Sequence, residues 1–501
     1  MDQPISRRSL LRGLASFAGA GVVASFRGRS STKHGPAPLA RGSLTASAST
    51  VYRSLPDFRP PSVTVDVRHP GTAPGVVLTD CHDGSGQQGP IIIGDNGGLV
   101  WFLPISDHGT AEMRAFDLRV QQFQGKPVLT WFQGAVVGNR GLGHYMIFDT
   151  SYRQMATVEA ADGMIADCHE FLLTESGTAV FTVYGSGTAD LSGLGGAHEG
   201  SYFYGEVQEV EVTTGKLLFS WRSDRHVEFQ ESYVAPPSEG QETWDYFHIN
   251  SVGIDPSDGN LVISSRNCWA FYKVNRKTGA VMWRLGGKRS DFSMGPGTGF
   301  AFQHDVTPHG GGVYTVFDNE SVPSVRPPSR ALVLKLDEAR RRATLLHQYH
   351  HSPPVTSDSA GSVQILPNGH VFVGWGTSTY FTEYEPSGAV LYDARLDTEG
   401  LAYSYRAFKQ PWSGQPSEPP ALAAERLPDT TALYVSWNGA TGVASWRVLA
   451  AGSAGSLKAV GTAPKMGLET LITLPTHPSR VAVEALDAAG LVLARSGLQY
   501  L

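Results

Sequence analysis

The amino-acid sequence predicts an all-β protein, a six-bladed β-propeller followed by a small C-terminal β-sandwich of the fibronectin or immunoglobulin type. Short runs of β-branched and aromatic residues alternate with turn dipeptides along most of the 501 residues. The 57 glycines and 31 prolines suit a fold with many short strands and tight turns. No convincing amphipathic helix separates these runs, which favours repeated antiparallel sheets.

The composition is that of a folded protein with little net charge. Hydrophobic residues make up 41% and aromatic residues 10%, enough for a packed core, so global disorder is excluded. The 40 Lys and Arg residues against 46 Asp and Glu residues leave a net charge of −6. No diffuse basic field exists for nucleic acid or an anionic membrane, so an anionic ligand must be met by a few placed side chains.

The first 30 residues are predicted to be a twin-arginine-type signal segment. Arg7 and Arg8 precede a weakly apolar stretch, rich in alanine and glycine, that is too short to span a bilayer stably. Residues 31–55 are expected to be a flexible linker because of their serines and prolines. The expected location is extracytoplasmic, secreted or in the cell envelope, with no stable membrane span after export. The alternative is a disordered arm with an accidental arginine pair.

Residues 56–410 contain the repeats that predict the propeller. One repeated phrase has a turn at glycine and an apolar strand ending in an aromatic residue, at residues 213–221, 277–283 and 386–392. A second phrase, turn then inner strand, occurs at residues 175–181, 255–265 and 366–374. The expected blades are near residues 75–103, 113–158, 165–222, 246–286, 299–349 and 360–408. Five or seven blades also fit, and a tandem of β-sandwiches is the alternative architecture.

The composition and the apolar pattern of the chain change after the predicted propeller. Residues 411–423 are rich in serine and proline and are expected to be a linker. Residues 424–501 are expected to be the sandwich, because apolar residues such as Leu433, Val435 and Trp437 alternate between small-residue turns. Few ionisable side chains cluster there, so we expect a structural or docking role.

Three histidines, His169, His248 and His304, each stand a few residues before the inner strand of a predicted blade. Imidazoles from three blades would therefore converge in the central channel, where histidine can act near neutral pH. Each one alone could simply fill a polar gap in the core, and the three together could bind zinc. Arg266 follows an inner strand directly; a guanidinium is unfavourable beside a dication but matches sulfate or phosphate bidentately. A plain ion pair is the alternative for Arg266.

Five stretches resemble the arylsulfotransferase family of exported six-bladed propellers, and more closely its second, less characterised branch. They are His248-Ile249-Asn250-Ser251, Ser264-Ser265-Arg266, Trp283-Arg284-Leu285-Gly286-Gly287, Gln303-His304-Asp305 and Phe317-Asp318-Asn319. The similarity extends over roughly residues 75–400. It implies transfer of a sulfuryl group from an aryl sulfate to a phenol through a sulfated histidine, with no cofactor and no metal.

On the family's pattern His304 is the nucleophile, and His248, Arg266 and His169 hold the sulfuryl and bridging oxygens. Asn250 would support the site as a neighbour, and Trp244 and Phe302 would suit an aromatic substrate pocket, although core packing explains both rings as well. The oligomeric state stays open, because well-studied members dimerise through an N-terminal sandwich.

Two other functions stay open from the residues alone. One is a propeller without catalysis that binds a ligand or a partner protein, since a fold does not imply a function. The other is a metal-dependent hydrolase or lyase that uses the three histidines. The cysteines, Cys81, Cys168 and Cys268, allow at most one disulfide bond.

Overall fold

The computed structural model describes residues 51–82, 86–105, 113–238, 242–320, 325, 328–397 and 403–501. The predicted signal segment and nearly all of the predicted linker lie outside the described residues. Helix in the described part is confined to four short 3-10 turns, Ser192–Leu194, Ser223–Arg225, Phe229–Glu231 and Gly376–Ser378. The protein is therefore all-β, as the strand and turn pattern predicted.

The strands of the first 410 residues are, in chain order, β1 (Ser62–Arg68), β2 (Val76–Cys81), β3 (Gly89–Ile93), β4 (Leu99–Phe102), β5 (Arg114–Phe123), β6 (Lys126–Val137), β7 (Arg140–Phe148), β8 (Gln154–Val158), β9 (Ala166–Leu173), β10 (Thr178–Ala189), β11 (Gly200–Glu211), β12 (Leu217–Arg222), β13 (Trp244–Asp245), β14 (Ile249–Ile254), β15 (Leu261–Ser265), β16 (Ala270–Val274), β17 (Val281–Gly286), β18 (Ser293–Met294), β19 (His304–Gly310), β20 (Val313–Asp318), β21 (Arg330–Asp337), β22 (Arg342–Tyr349), β23 (Ser362–Ile365), β24 (Val371–Gly374), β25 (Tyr380–Tyr384), β26 (Val390–Asp397) and β27 (Phe408–Gln410). The remaining strands are β28 (Ala421–Arg426), β29 (Thr431–Ser436), β30 (Ser445–Ala451), β31 (Lys458–Pro464), β32 (Glu469–Leu474), β33 (Arg480–Leu486), β34 (Val492–Arg495) and β35 (Gln499–Tyr500).

The strands up to β27 form five sheets in which consecutive strands pair antiparallel. Three of them follow the chain directly: β14 to β17, β19 to β22 with β18 at the edge, and β23 to β26 with β1 at the edge. A nine-stranded sheet contains β5 to β13, and a single residue pair, Gly143 with Ala166, joins its two halves. In the fifth sheet β27 pairs with β2, so the end of this region closes on its beginning.

The repeated turn phrases lie where the sequence predicted turns. Gly215, Gly279 and Gly388 have φ of 70°, 75° and 91°, in the left-handed region that glycine enters without steric cost. Each is followed within two residues by a strand, β12, β17 or β26. Each glycine therefore ends the turn that leads into its strand, which explains why the same phrase recurs. β12 and β17 are edge strands of their sheets, whereas β26 is covered at the edge by β1.

The inner strands are buried on both faces. Every residue of β15 is buried, and its alternate side chains enter two different cores: Ile263 packs with β16 and the preceding sheet, while Val262 packs with Phe271 and β19 to β21. Strands buried on both faces read as continuous apolar runs rather than alternating ones. The strand before β15, β14, contacts both β9 and β19 of the neighbouring sheets.

The C-terminal residues form two further sheets, β28 with β29 and β32, and β30 with β31, β33, β34 and β35. They share one core around Trp446, Leu433 and Val483. The Asn438 side chain accepts the Phe102 N–H at 3.0 Å and donates to the Phe102 carbonyl at 2.8 Å. This contact covers the exposed edge of β4, an edge that would otherwise offer unpaired backbone groups to another chain.

The described residues contain no disulfide bond. No helix in the described part is long and apolar enough to cross a membrane.

Candidate active site

The structure brings His169, His248 and His304 together from three sheets. His169 lies in β9, His248 directly precedes β14, and His304 begins β19. The ring centroids of His169 and His248 are 5.2 Å apart, with the rings perpendicular. His304 is close enough to both, and to Arg266, for all three to lower its pKa. All three imidazoles are buried, with 5%, 4% and 2% of the residue exposed. The predicted convergence is therefore observed.

Each imidazole uses its Nδ1 atom in a hydrogen bond to an acceptor. His169 Nδ1 lies 2.6 Å from Asp167 Oδ2, and His248 Nδ1 lies 2.5 Å from Asp245 Oδ2. A carboxylate only accepts, so both Nδ1 atoms donate. The Nε2 atoms of all three histidines have no hydrogen-bond partner among the described residues, and they are the atoms left for a ligand.

His304 is held as one tautomer by Asn319. The amide nitrogen of Asn319 donates to the carbonyls of Ser357 at 2.9 Å and Ala360 at 3.1 Å, so the other amide atom must be the oxygen. That oxygen lies 2.7 Å from His304 Nδ1 and accepts its proton. His304 Nε2 therefore carries a lone pair, which is the form that a nucleophilic imidazole needs.

The surroundings also keep His304 uncharged. Burial lowers its pKa well below 6.5, and the positive charge of Arg266 lowers it further. Burial is also the main cause that lowers the pKa of His248, although Asp245 opposes it. His304 is therefore neutral at physiological pH, and its Nε2 lone pair is available.

Arg266 is a cation without a carboxylate partner within 4 Å among the described residues. Its guanidinium donates to Asn267 Oδ1 at 2.9 Å and lies 4.8 Å from the ring centroid of Phe302. Burial lowers the pKa of Arg266 and the charge of Asp245 opposes this, but a guanidinium stays charged in a protein. A half-buried positive charge with no carboxylate within 4 Å among the described residues, close to the three imidazoles, is an anion-binding arrangement.

The backbone around the site is strained. His248, Trp269, Phe302 and Asp305 have φ of 51°, 51°, 53° and 50°. Side chains other than glycine rarely adopt this region, and bulky ones almost never do. Such residues cost about 1–3 kcal/mol each and cluster where a function requires their orientation. Here they include His248 itself, Phe302 two residues before His304, and Asp305 directly after it.

A carboxyl pair fixes the segment before His304. Asp318 Oδ1 accepts the Ala301 N–H at 3.0 Å, and the Glu320 N–H donates to the Ala301 carbonyl at 3.1 Å. Arg330 Nε lies 2.9 Å from Asp318 Oδ2. Burial and the neighbouring Glu320 raise the pKa of Asp318 well above its usual range. Because Asp318 and Glu320 flank Asn319, the pair anchors His304 and its hydrogen-bond acceptor to each other.

The three predicted substrate-binding residues occupy different places. Phe302 lies beneath the Arg266 guanidinium, and Asn250 is fully buried, donating to the Gln303 carbonyl at 2.6 Å. Asn250 thus contacts the backbone next to His304. Trp244 is not brought to the histidines: it is buried in a hydrophobic core, and its Nε1 donates to the Val234 carbonyl at 3.2 Å.

The three histidines do not assemble as a metal site in the part of the chain that the structure describes. The one group of three or more metal-binding side chains found there, with ligand atoms within 4.8 Å of one another, is Asp167, Cys168 and His169. Within it, Asp167 Oδ2 already accepts from His169 Nδ1 at 2.6 Å and from Thr182 Oγ1 at 2.9 Å. Burial raises the pKa of the Cys168 thiol well above its usual range, so it is a poor thiolate ligand.

Sequence reasoning missed the role of Asp167, Asp245 and Asn319, the three side chains that accept the Nδ1 protons of the histidines. A carboxylate two or three residues before a histidine is a signal that could have identified the first two, because Asp167 precedes His169 by two positions and Asp245 precedes His248 by three. Asn319 is 15 residues from His304 and is brought to it across the β19–β20 hairpin, so its signal is the register of that hairpin, in which His304 pairs with Phe317.

Solved structures similar to this chain are distant. A protein of unknown function from Bacteroides caccae is 11% identical, with 67% of this chain and 98% of that chain covered and a TM-score of 0.41. A streptogramin B lyase is 9% identical, with 68% and 89% covered and a TM-score of 0.35. A catalytically inactive virginiamycin B lyase from Staphylococcus aureus with quinupristin is 7% identical, with 75% and 97% covered and a TM-score of 0.35. Such likenesses carry no argument about this site, and no curated protein matches the chain.

The family comparison is decisive, because the arylsulfotransferase (ASST) family model matches residues 119–397, more than half of the chain. The matched region contains all three converging histidines, Arg266 and Asn319. The chain therefore belongs to the arylsulfotransferase family.

Proposed function

We propose that the protein is an exported arylsulfotransferase that moves a sulfuryl group from an aryl sulfate ester to a phenol in two steps, with no adenylyl-sulfate donor. The observation that carries the proposal is His304, a buried neutral imidazole whose Nδ1 donates to Asn319, so that Nε2 is a nucleophile. Family membership supports aryl sulfates and phenols as the substrates.

In the first step His304 Nε2 attacks the sulfur of the aryl sulfate. The N–S bond forms as the S–O bond to the aryl group breaks, and the phenolate leaves. Arg266 faces the developing negative charge on the sulfuryl oxygens, where a preorganised cation in a buried site has its greatest effect. In the second step the oxygen of a new phenol attacks the sulfur, and the N–S bond breaks to restore neutral His304.

Protons are handled by the two remaining imidazoles. In the first step the proton for the leaving phenolate must come from an imidazolium, His169 or His248 protonated at Nε2 as well as at Nδ1. Once neutral, that imidazole takes a proton from the incoming phenol in the second step. Their Nδ1 atoms are committed to Asp167 and Asp245, so the exchange takes place at Nε2. Because burial lowers the pKa of His248, this imidazole is suited to accepting the proton of the second phenol.

The proposed function extends to architecture and location. Taking the nine-stranded sheet as two blades joined at Gly143 and Ala166 gives six blades, closed by the β2 to β27 pairing. The residues after β27 would be a fibronectin-like sandwich. Export by the twin-arginine route is tested by fusing residues 1–55 to a reporter: Arg7→Lys with Arg8→Lys should abolish its export, and unchanged export would contradict this part of the proposal.

The test of activity is stopped-flow release of 4-nitrophenol from 4-nitrophenyl sulfate in the presence of a chelator. Wild type should give a burst of one product per enzyme, then turnover that depends on a second phenol. His304→Ala should abolish both. The matched control is His309→Ala, because His309 lies on the same strand and its Nε2 is 2.9 Å from Thr315 Oγ1, so this variant should keep its burst.

Intact mass after the burst should show one added SO₃ group in wild type and none in His304→Ala. Activity that is lost in chelator and restored by a divalent cation would instead favour the metal-dependent reaction. Absence of release by folded wild type from any aryl sulfate would refute the proposed activity and favour a binding protein.

A further inference from the structure

Beneath the three histidines lies one fully buried guanidinium, that of Arg406. The residue is 0% exposed and lies two residues before the closing strand β27. It lies outside the region that the family model matches, residues 119–397. It is not one of the groups that we place against the substrate.

The three nitrogens of this guanidinium reach the neighbours of all three histidines. Arg406 NH1 donates to Glu170 Oε2 at 3.1 Å, and Glu170 follows His169. Arg406 NH2 donates to the Asn250 carbonyl at 3.3 Å, two residues after His248. Arg406 Nε lies 3.7 Å from Asp305 Oδ1, and Asp305 follows His304. Through two hydrogen bonds and one ion-pair contact, one side chain therefore connects the three chain segments that carry the histidines.

The cluster around Arg406 is a buried charge network. NH1 also donates to Asp117 Oδ1 at 3.1 Å, and Arg119 NH2 contacts Asp117 and lies 2.7 Å from Glu170 Oε1. Two guanidinium groups thus face three carboxyl groups. Burial raises the pKa of Asp117 to about 6 and also raises the pKa of Asp305, for which Arg406 is the main opposing charge. Removing Arg406 would leave Asp305 without its nearest cation.

We propose that Arg406 is a positioning residue that holds His169, His248 and His304 at reacting distance from one another. The inference rests on the proposed function for its kinetic consequence. The planar guanidinium presents five donors in fixed directions, so it can set the relative position of three strands, whereas a lysine ammonium at one point cannot. Misplacing a catalytic group by about 1 Å can lower a rate by about 100-fold.

The test compares Arg406→Lys with Lys409→Met in the full chain. Lys409 is a matched control because it lies on β27, is also buried, and pairs with Glu383 at 2.7 Å. Among the described residues it has no ion pair with the segments around His169, His248 or His304. Lys409→Met removes one buried ion pair, and Arg406→Lys keeps the charge but loses part of the guanidinium's contacts, so both changes should lower the unfolding temperature. Only Arg406→Lys should slow the burst of 4-nitrophenol, by about 100-fold. In the steady state this variant should lower kcat and change KM little.

A second readout does not depend on activity. In protein labelled with ¹⁵N-histidine, the Nδ1–H signals of His169, His248 and His304 report their hydrogen bonds to Asp167, Asp245 and Asn319. Arg406→Lys should shift these signals or expose them to exchange, and Lys409→Met should leave them unchanged. If Arg406→Lys does not fold, Asp305→Asn replaces it, because the asparagine oxygen can keep the bond that Asp305 Oδ2 accepts from the Val363 N–H at 2.7 Å.

Equal burst rates and equal Nδ1–H signals in the Arg406 and Lys409 variants would overturn the inference. A wild type without any burst would refute the proposed function. The Nδ1–H signals of the three histidines would then test by themselves whether Arg406 positions these side chains.

Discussion

Replacing Asn319 by alanine tests whether the tautomer of His304 is set by its neighbour. Asn319 accepts the Nδ1 proton of His304 at 2.7 Å and donates to the carbonyls of Ser357 and Ala360. Without the acceptor, the His304 proton can move to Nε2, which removes the nucleophilic lone pair, or stay on Nδ1 as a buried donor without a partner. Either state costs about 1–3 kcal/mol.

The expected kinetic effect follows from that energy. About 1.4 kcal/mol corresponds to a factor of ten, so the burst of 4-nitrophenol should slow by about 5- to 150-fold in Asn319→Ala. The affinity for 4-nitrophenyl sulfate should change little, because Arg266 and the other imidazoles are untouched. The assay is single-turnover stopped-flow with enzyme in excess, which isolates the first transfer from product release.

Ser329→Ala is the control for a general loss of stability. Its hydroxyl donates to the Asn319 carbonyl at 2.7 Å and accepts the Ser357 N–H at 2.8 Å, so it belongs to the same buried cluster but does not contact the imidazole. Both variants should unfold at a lower denaturant concentration. A burst rate in Asn319→Ala equal to that of Ser329→Ala would refute the reasoning.

Three further predictions follow from the same geometry. Arg266→Lys should lower kcat/KM for 4-nitrophenyl sulfate by about 10- to 100-fold, since the guanidinium fork is lost; an unchanged kcat/KM would contradict its role. Burial lowers the pKa of His309 to about 4, so the unfolded state binds more protons below pH 6.5 and stability falls as the pH drops. This histidine alone accounts for up to about 3 kcal/mol of that loss between pH 7 and pH 4. The free energy of unfolding, measured with urea at both pH values, should therefore fall by about 3 kcal/mol less in His309→Gln than in wild type. Trp244→Phe should lower stability by about 1 kcal/mol through loss of its bond to the Val234 carbonyl; a KM for aryl sulfates that rises severalfold would instead place Trp244 in the substrate pocket.

The order of strands and turns could be predicted from the sequence because the signals for it are local. The glycines at residues 215, 279 and 388 adopt the left-handed backbone that their turns require, and the apolar runs after them form strands. The convergence of His169, His248 and His304 could also be predicted, because their equivalent positions before inner strands imply equivalent places in a repeated structure. Trp244 shows the limit of this reasoning, because an aromatic residue near a candidate histidine has the same sequence context wherever its ring lies. The Trp244 ring packs in a hydrophobic core and lines a pocket with Phe229 and Tyr233, which does not include the three histidines.

By itself, the sequence determined the all-β class, the repeated strand phrases, the three histidines and Arg266, since each depends on residue type and short-range spacing. Only the tertiary structure decided which atom of each imidazole is committed and which is available. Asn319 reaches His304 across the β19–β20 hairpin, in which His304 pairs with Phe317. Glu170 lies 236 residues from Arg406, and their hydrogen bond exists only because separate sheets meet at one place. Burial at that place also lowers the pKa of His304, and burial is a property of the assembled sheets. The candidate nucleophile could thus be named from the sequence, while its chemical state arises from packing.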